Sequence, residues 1–209
     1  MKTIICIFGD SITWGRGLPS RVGWANLLRN YLEEKNKNAK AVLELYDLGI
    51  DRDTTESILK RIDVEAKARV PNVIIFAIGI NDSFYRITKD NPSVSVDKFE
   101  NNLLKLIEKA KKFTNKIIFI GIAKGDDGET KPLPASTTGK CYDKENVKIY
   151  NNIIKKVNKK EKLLFVEIID KLNNKDFYDG LHPNAKGHQK IFKIVKDFLI
   201  KNQICNFFF

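Results

Sequence analysis

Two spacings of apolar residues alternate along this chain. Short, almost continuous apolar runs predict five strands, at residues 2–8, 41–48, 73–79, 116–123 and 163–168. Between and after them, apolar residues recur every three or four positions and predict five helices, at residues 24–34, 53–69, 97–113, 144–159 and 184–201. Strands that are apolar on both faces are typical of a parallel sheet covered by helices on both sides. The pattern therefore predicts an α/β fold, a doubly wound three-layer α/β/α sandwich.

The predicted elements form a single domain, without internal repeats or linkers. The 209 residues are enough for a sizeable core, and we place the domain at residues 1–202, with a phenylalanine-rich tail at residues 203–209. Residues 124–141 interrupt the regular alternation with several glycines and prolines. A loop of this length in a compact domain is uncommon and often belongs to a functional site.

The composition is that of an ordinary soluble protein, with 43% hydrophobic and 30% charged residues. The longest apolar runs are too short to span a bilayer, which takes about 20 residues. The first run leads directly into a Gly-Asp-Ser sequence with no cleavage-site pattern, so we interpret it as a strand and expect a cytoplasmic protein. Three cysteines without C-x-x-C spacing predict neither a disulfide framework nor a zinc site.

The net charge of +11 raises the alternative of a nucleic-acid-binding protein. Most of the positive charge comes from lysines scattered over the predicted helices, with no aromatic residues interleaved. Arginine, the residue preferred for bidentate contacts to phosphates and bases, is scarce. The sequence therefore favours a protein that does not bind nucleic acid.

Four short polar segments flank the predicted strands and the last helix, at residues 9–11, 49–53, 79–82 and 179–182. In an open parallel sheet the carboxyl ends of the strands meet at one edge, and ligands bind beyond that edge. We therefore expect these four segments to converge there, although they lie far apart in the sequence.

Three residues of these segments, Ser11, Asp179 and His182, form a candidate catalytic set. A serine hydroxyl is a poor nucleophile unless a base takes its proton, and Pro183 favours an extended, non-helical conformation for His182. Asp179 precedes His182 by one turn, close enough to orient the imidazole as the acid of a serine triad does. His188 lies one turn into the last predicted helix, where we expect a surface or packing role.

Acyl transfer also needs hydrogen-bond donors for the oxyanion that develops in the transition state. The candidate donors are the backbone N–H groups of Ser11 and Gly49 and the side-chain amide of Asn81. Each has a plainer alternative, because Ser11 and Asn81 are typical helix N-caps and Gly49 suits a simple turn. The catalytic interpretation is favoured by the combination of nucleophile, donors, acid and base in strand order.

The motifs resemble those of the SGNH hydrolase superfamily, also called GDSL esterases and lipases. The matching blocks are Phe-Gly-Asp-Ser-Ile-Thr at residues 8–13, Gly49, Gly-Ile-Asn-Asp at residues 79–82 and Asp-Gly-Leu-His-Pro at residues 179–183. The resemblance implies a flavodoxin-like sheet of five parallel strands with no metal or cofactor. It also implies that Ser11 is the nucleophile, that Asp179 and His182 are acid and base, and that Gly49 and Asn81 are oxyanion donors.

The resemblance further implies a small-molecule ester as the substrate. Similar proteins act on acetylated carbohydrates, lysophospholipids and thioesters, and the sequence does not choose among these. It departs from the pattern at Arg52, where many relatives have a second glycine before an Asp-Thr pair. The competing interpretation is a non-catalytic, flavodoxin-like binding module, although the first loop lacks the Ser/Thr-rich cradle expected for flavin mononucleotide. The oligomeric state is left open.

Overall fold

The computed structural model of the protein describes residues 2–36 and 42–204. Strands and helices alternate as the apolar pattern predicts. In chain order the elements are β1 (Lys2–Gly9), α1 (Trp24–Asn36), β2 (Val42–Gly49), α2 (Thr55–Arg69), β3 (Val73–Ala77), α3 (Ile80–Ser83), β4 (Tyr85–Arg86), β5 (Thr88–Pro92), α4 (Val96–Lys111), β6 (Ile117–Ile120), α5 (Asp127–Thr130), β7 (Lys140–Cys141), α6 (Lys144–Lys160), β8 (Leu164–Val166) and α7 (Ala185–Lys201).

The main sheet has five parallel strands in the order β2-β1-β3-β6-β8. Successive side chains of a strand point to opposite faces, and each face has its own apolar cluster. Cys6 and Phe8 of β1 face α2, α4 and α6, whereas Ile5 and Ile7 face α1 and α7. This arrangement is the three-layer α/β/α sandwich that the sequence predicts, and the strand order is flavodoxin-like.

The edges of several elements differ from the predicted ranges. The predicted strands at residues 73–79, 116–123 and 163–168 are shorter in the sheet, as β3, β6 and β8, and each ends two or three residues before its predicted end. The second helix begins at Thr55 rather than at residue 53, and Thr54 is its N-cap. The predicted start of the second strand at residue 41 lies outside the described residues, as do residues 205–209 of the predicted tail.

A second sheet, antiparallel and in the order β5-β4-β7, was not predicted from the sequence. It uses the end of the glycine- and proline-containing segment at residues 124–141, which also contains the short helix α5. Ile204, beyond the predicted domain end at residue 202, is buried in the α1/α7 cluster. Among the described residues, no helix combines the length and apolarity needed to cross a bilayer.

The strand order locates the site. From β1 the chain moves to one side of the sheet to form β2, and then to the other side to form β3. The connections that leave the carboxyl ends of β1 and β3 therefore diverge, and a crevice opens between them. In the register of the sheet, Gly9 at the end of β1 is paired with Gly49 of β2 and Ala77 of β3. The polar segments at residues 9–11, 49–53 and 79–82 thus start from one edge.

Candidate active site

Ser11 lies in a tight turn directly after β1, 4% exposed. Asp10 closes this turn, because its carboxylate accepts a hydrogen bond of 2.9 Å from the Ile12 N–H and its carbonyl accepts one of 3.0 Å from the Trp14 N–H. Burial raises the pKa of Asp10 to about 7. The turn holds the Ser11 hydroxyl at the carboxyl edge of the sheet.

His182 connects Ser11 to Asp179. Its Nε2 lies 3.1 Å from Ser11 Oγ, and its Nδ1 lies 2.8 Å from Asp179 Oδ2. Ser11 and His182 are separated by 171 positions in the sequence and meet only because β1 and the loop before α7 end at the same edge. With Nδ1–H donating to the carboxylate, Nε2 is left as an acceptor for the serine proton.

The side chain of Asp179 stabilises the loop in which it lies by accepting hydrogen bonds from the backbone. Oδ1 of Asp179 accepts hydrogen bonds of 3.1 Å from the Leu181 N–H and 2.7 Å from the His182 N–H. Burial tends to raise the pKa of Asp179, but its hydrogen bonds from the ring and backbone of His182 outweigh burial and lower the pKa to about 2. The carboxylate is therefore ionised beside the imidazole.

His188, the second histidine, has a different environment. It is completely buried, its Nδ1 accepts a 3.2 Å hydrogen bond from the Trp24 N–H, and its Nε2 lies 3.4 Å from the Arg16 carbonyl oxygen. Burial lowers the pKa of His188 to about 4. Held as a neutral ring between α7, α1 and the loop after β1, it has the packing role expected from the sequence.

Asn81 is positioned by contacts on both atoms of its amide. Its Nδ2 donates a 3.0 Å hydrogen bond to the Asp53 carbonyl, and its Oδ1 accepts one of 3.1 Å from the Tyr142 hydroxyl. The N-cap of α3 is Gly79, so Asn81 is not a cap. Gly79 has φ +130°, which favours glycine, and an added Cβ would lie 2.8 Å from Ile122 Cδ1. Among the described residues no second acceptor pairs with Nδ2, and Asn81 lines the cavity that contains Ser11.

Gly49 does not occupy the position expected of an oxyanion donor. Its N–H donates a 2.9 Å hydrogen bond to Asp47 Oδ1, and the glycine does not line the cavity that contains Ser11 and His182. An added Cβ would lie 2.6 Å from the Trp14 nitrogen and 3.0 Å from the Asp10 oxygen. The expectation that Gly49 is an oxyanion donor is corrected by its hydrogen bond, because the N–H is already paired with Asp47. The glycine instead allows the Ser11 turn to approach β2.

Arg52 occupies the position where the sequence departs from the family pattern. Its backbone has φ +68°, a conformation that favours glycine. Unlike Gly49, Arg52 lines the cavity beside Ser11 and Asn81. Among the described residues no acceptor pairs with its backbone N–H. A role for this N–H was not predicted, because an arginine, unlike a glycine, does not indicate a positive φ.

The cavity at the site has a volume of about 400 Å³. Besides Ser11, Asn81 and His182, its lining is mostly polar or charged and comes largely from the loop and the antiparallel sheet: Arg16, Asp51, Arg52, Arg86, Leu133, Ala135, Ser136, Thr137, Thr138, Lys140, Tyr142 and Leu181. Tyr142 was not predicted as a site residue, since only the fold brings it to Asn81. Within the described part of the chain, no group of three or more His, Cys, Asp or Glu side chains is arranged to bind a metal ion.

Comparison with known proteins agrees with this geometry. The model of the GDSL-like lipase/acylhydrolase family matches residues 7–190 of the sequence. The chain belongs to this family. Within the GDSL-like match lie Ser11, Asn81 and His182, which line one cavity, and Asp179, which is hydrogen-bonded to His182. Family membership confirms the resemblance seen in the motifs.

A curated relative matches part of this GDSL-like chain. The protein described as uncharacterized lipoprotein YqeF, from Bacillus subtilis (strain 168), is 30% identical over 113 residues. The match covers 52% of this chain and 43% of YqeF, so the chain spans less than half of that relative's length.

Solved structures share the fold over nearly the whole GDSL-like chain. A lipase/acylhydrolase from Enterococcus faecalis is 21% identical, with a TM-score of 0.74 and 96% of each chain covered. Axe2, described as an acetylxylan esterase from Geobacillus stearothermophilus, is 19% identical with a TM-score of 0.70, covering 95% of this chain and 93% of Axe2. The esterase EstA from Pseudoalteromonas sp. is 21% identical with a TM-score of 0.70, covering 98% of this chain and all of EstA at 100%. These similarities confirm the predicted fold.

Proposed function

We propose that this protein is a serine hydrolase that cleaves carboxylic esters through an acyl-enzyme intermediate on Ser11. The observation that carries the proposal is the hydrogen-bonded path from Ser11 Oγ through the His182 ring to the Asp179 carboxylate, with distances of 3.1 and 2.8 Å. Membership of the GDSL-like family supports the same activity. A non-catalytic binding module has no need of this arrangement and is not favoured.

Acylation begins when Ser11 Oγ attacks the ester carbonyl carbon and His182 Nε2 takes the hydroxyl proton. The carbonyl π electrons move to oxygen and form an oxyanion. When the carbonyl re-forms, the bond to the alcohol oxygen breaks, and His182 gives its proton to that leaving oxygen. Water then repeats the sequence on the acyl-enzyme, with its proton passing through His182 back to Ser11 Oγ, and the carboxylic acid is released.

The oxyanion needs donors that are in place before the reaction. We propose three: the Ser11 N–H, Nδ2 of Asn81 and the backbone N–H of Arg52, which replaces Gly49 in this role. The Tyr142 hydroxyl fixes the orientation of the Asn81 amide. Burial raises the pKa of Tyr142, so the hydroxyl remains a donor at any pH used for an ester assay.

Asp179 orients His182 and stabilises its protonated form during each step. The pKa of about 2 keeps the Asp179 carboxylate ionised well below neutral pH. The positive charge that His182 gains from Ser11 therefore always faces a negative partner, which lowers the barrier to proton transfer.

The substrate, in our proposal, is a short-chain ester of a polar alcohol. The cavity is lined mainly by charged, hydroxyl and amide side chains, whereas long acyl chains are bound by apolar grooves. The structural neighbour Axe2, described as an acetylxylan esterase, supports an acetylated carbohydrate over a lipid. The cytoplasmic location stays a prediction.

The proposal is tested by the hydrolysis of p-nitrophenyl acetate. We expect Ser11→Ala and His182→Ala each to lower kcat by on the order of 10⁴-fold while the melting temperature stays near that of the wild type. The matched control is His188→Gln, which alters the other histidine and should retain activity. A Ser11→Ala protein with wild-type activity would overturn the proposal.

A further inference from the structure

One wall of the cavity carries two cations that face each other across the antiparallel sheet. Arg86 of β4 and Lys140 of β7 are direct partners in the register of these strands, and both line the cavity that contains Ser11. Like charges placed opposite each other on neighbouring strands destabilise a sheet. The pair therefore has an unfavourable interaction at the edge of the site.

Both cations of this pair contact the same aromatic ring. The Arg86 guanidinium lies 5.0 Å and the Lys140 Nζ lies 4.8 Å from the centroid of the same Phe84 ring. Within residues 2–36 and 42–204, neither side chain forms an ion pair with a carboxylate. Both side chains are half-buried, so they are less free than exposed lysines and arginines to move into solvent.

A third cation, Arg52, adds to the positive charge near Lys140. Burial lowers the pKa of Lys140, and the neighbouring charges of Arg52 and Arg86 lower it further. The carboxylate of Asp51 is the one acidic group that lines the cavity among the described residues. It binds Arg16 at 2.6 Å and lies 3.6 Å from Arg52 Nε. Four cationic side chains thus line a cavity with one carboxylate.

We infer that the ester substrate carries an anionic oxygen group, a carboxylate or a phosphate, which binds between Arg86 and Lys140. The planar guanidinium of arginine donates to two oxygens of such a group, and the ammonium of lysine adds a third hydrogen bond. The bound anion relieves the repulsion between the two cations. This inference rests on the proposed esterase function and defines the class of ester that the site selects.

The test compares acetyl esters that differ in charge. The substrates are 4-acetoxybenzoate and 4-acetoxyphenyl phosphate, with methyl 4-acetoxybenzoate as the neutral reference. A second pair carries the charge on the acyl side: the mono-p-nitrophenyl ester of adipic acid and p-nitrophenyl hexanoate. At fixed ionic strength, we expect kcat/KM for at least one anionic ester to exceed that of its neutral reference by about tenfold or more. The carboxylate and phosphate substrates show which group is preferred.

Variants then assign the preference to Arg86 and Lys140. In R86Q/K140Q the ratio of anionic to neutral kcat/KM should fall to near unity, and in R86K/K140R it should be largely retained. The matched control, K155Q/K156Q, removes the same charge from side chains of α6 that are 60% and 69% exposed. This control should keep the wild-type ratio.

Two kinds of failure are distinguishable. Equal kcat/KM for anionic and neutral esters in both pairs, or a preference that survives in R86Q/K140Q, would overturn the inference and leave the esterase function intact. A loss of preference as large in K155Q/K156Q would also overturn it, because the effect would then come from overall charge. If the folded wild-type protein hydrolyses none of these esters, the proposed function fails, and the inference fails with it.

Discussion

The amide of Asn81 shows how this site controls a single side chain. The amide oxygen faces the Tyr142 hydroxyl at 3.1 Å, and the amide nitrogen faces the Asp53 carbonyl at 3.0 Å. These partners allow only one of the two amide orientations, since a hydroxyl donor and a carbonyl acceptor cannot exchange places. The neighbouring Asp82 accepts hydrogen bonds from the backbone and hydroxyl of Thr55, which ties the same turn to α2.

Replacing Asn81 with alanine tests whether the amide is an oxyanion donor. We expect Asn81→Ala to lower kcat by roughly 10²- to 10³-fold with little change in KM, because the donor acts on charge that develops in the transition state. Tyr142→Phe, which loses only the orienting hydroxyl, should cause a smaller loss. The measurement is steady-state kinetics on p-nitrophenyl acetate, with the melting temperature recorded for each variant. An Asn81→Ala protein that is less stable but keeps its kcat would mean that the amide is structural.

Some site residues were easier to predict from the sequence than others. The physical reason is how far apart in the sequence the two partners of each contact lie. Asp179 and His182 lie within one turn, so their spacing alone predicts the hydrogen bond between them. Ser11 needed the additional rule that parallel strands end at one edge. Tyr142 carries no local signal, since its role depends on how a loop returns across the sheet. Gly49 was wrongly predicted because a glycine that allows close approach looks the same in sequence as one that donates its N–H.

At the scale of elements, the turn from β2 to α2 contains one residue that allows close packing and one with a positive φ. Gly49 lies under the Ser11 turn, and Arg52 turns the backbone with φ +68° toward the cavity. Asp53 then binds Arg61 at 2.7 Å, and Thr54 caps α2. The connection therefore packs against the Ser11 turn through Gly49. In our proposal it also supplies one oxyanion donor, the backbone N–H of Arg52.

Gly49→Ala separates the steric role from the donor role, because alanine keeps the N–H. A Cβ at this position would lie 2.6 Å from the Trp14 backbone nitrogen, which cannot move without displacing the Ser11 turn. We expect a loss of stability of about 1–3 kcal/mol in chemical denaturation, together with reduced activity. The control is Gly128→Ala, where the nearest atom to an added Cβ is Asp126 Oδ1 at 3.5 Å. A Gly49→Ala protein as stable and active as the control would contradict the steric role.

The main sheet and its helices were predictable, whereas the antiparallel sheet was not. The long helices carry a full apolar face, as with Phe99, Leu103 and Leu106 of α4, which are all buried as the periodicity predicts. In contrast, β4 and β7 contain only two residues each. A strand of that length is too short to show alternation between faces, so its existence depends on tertiary pairing. The cavity wall that contains Arg86 and Lys140 could therefore not be predicted from the sequence.

At the scale of the whole molecule, His188 links three parts of the fold. Its two ring nitrogens contact the start of α1 at Trp24 and the loop carbonyl of Arg16, while its own backbone belongs to α7. A neutral, buried ring thus connects α7 to the start of α1 and to the loop after β1. Because burial lowers the pKa of His188 to about 4, we expect this residue to make stability depend on pH in the acid range.

The sign of this effect follows from proton linkage. With a pKa of about 4 in the folded protein and about 6.5 unfolded, the His188 ring binds more protons in the unfolded state between these pH values. Its contribution to stability is therefore complete above pH 6.5 and is lost as the pH falls toward 4. Relative to His188→Gln, which does not titrate, the wild type should lose on the order of 3 kcal/mol between about pH 7 and pH 4.

The measurement is the free energy of unfolding by denaturant at several pH values for both proteins. The raised pKa values of Asp10 and Asp82, both about 7 because of burial, give the opposite trend, but they are common to both proteins and cancel in the difference. Stability curves that run parallel from pH 7 to pH 4 would contradict the role of His188.

Labelling with a p-nitrophenyl phosphonate ester tests the central claim most directly, because the reagent bonds only to an activated nucleophile. Peptide mass spectrometry should find one adduct, on the peptide that contains Ser11, and one equivalent of p-nitrophenol should be released per protein. His182→Ala should slow the labelling by on the order of 10³-fold, since Ser11 then lacks its base. An adduct on another residue, or labelling of Ser11→Ala at the wild-type rate, would show that Ser11 is not the nucleophile of this protein.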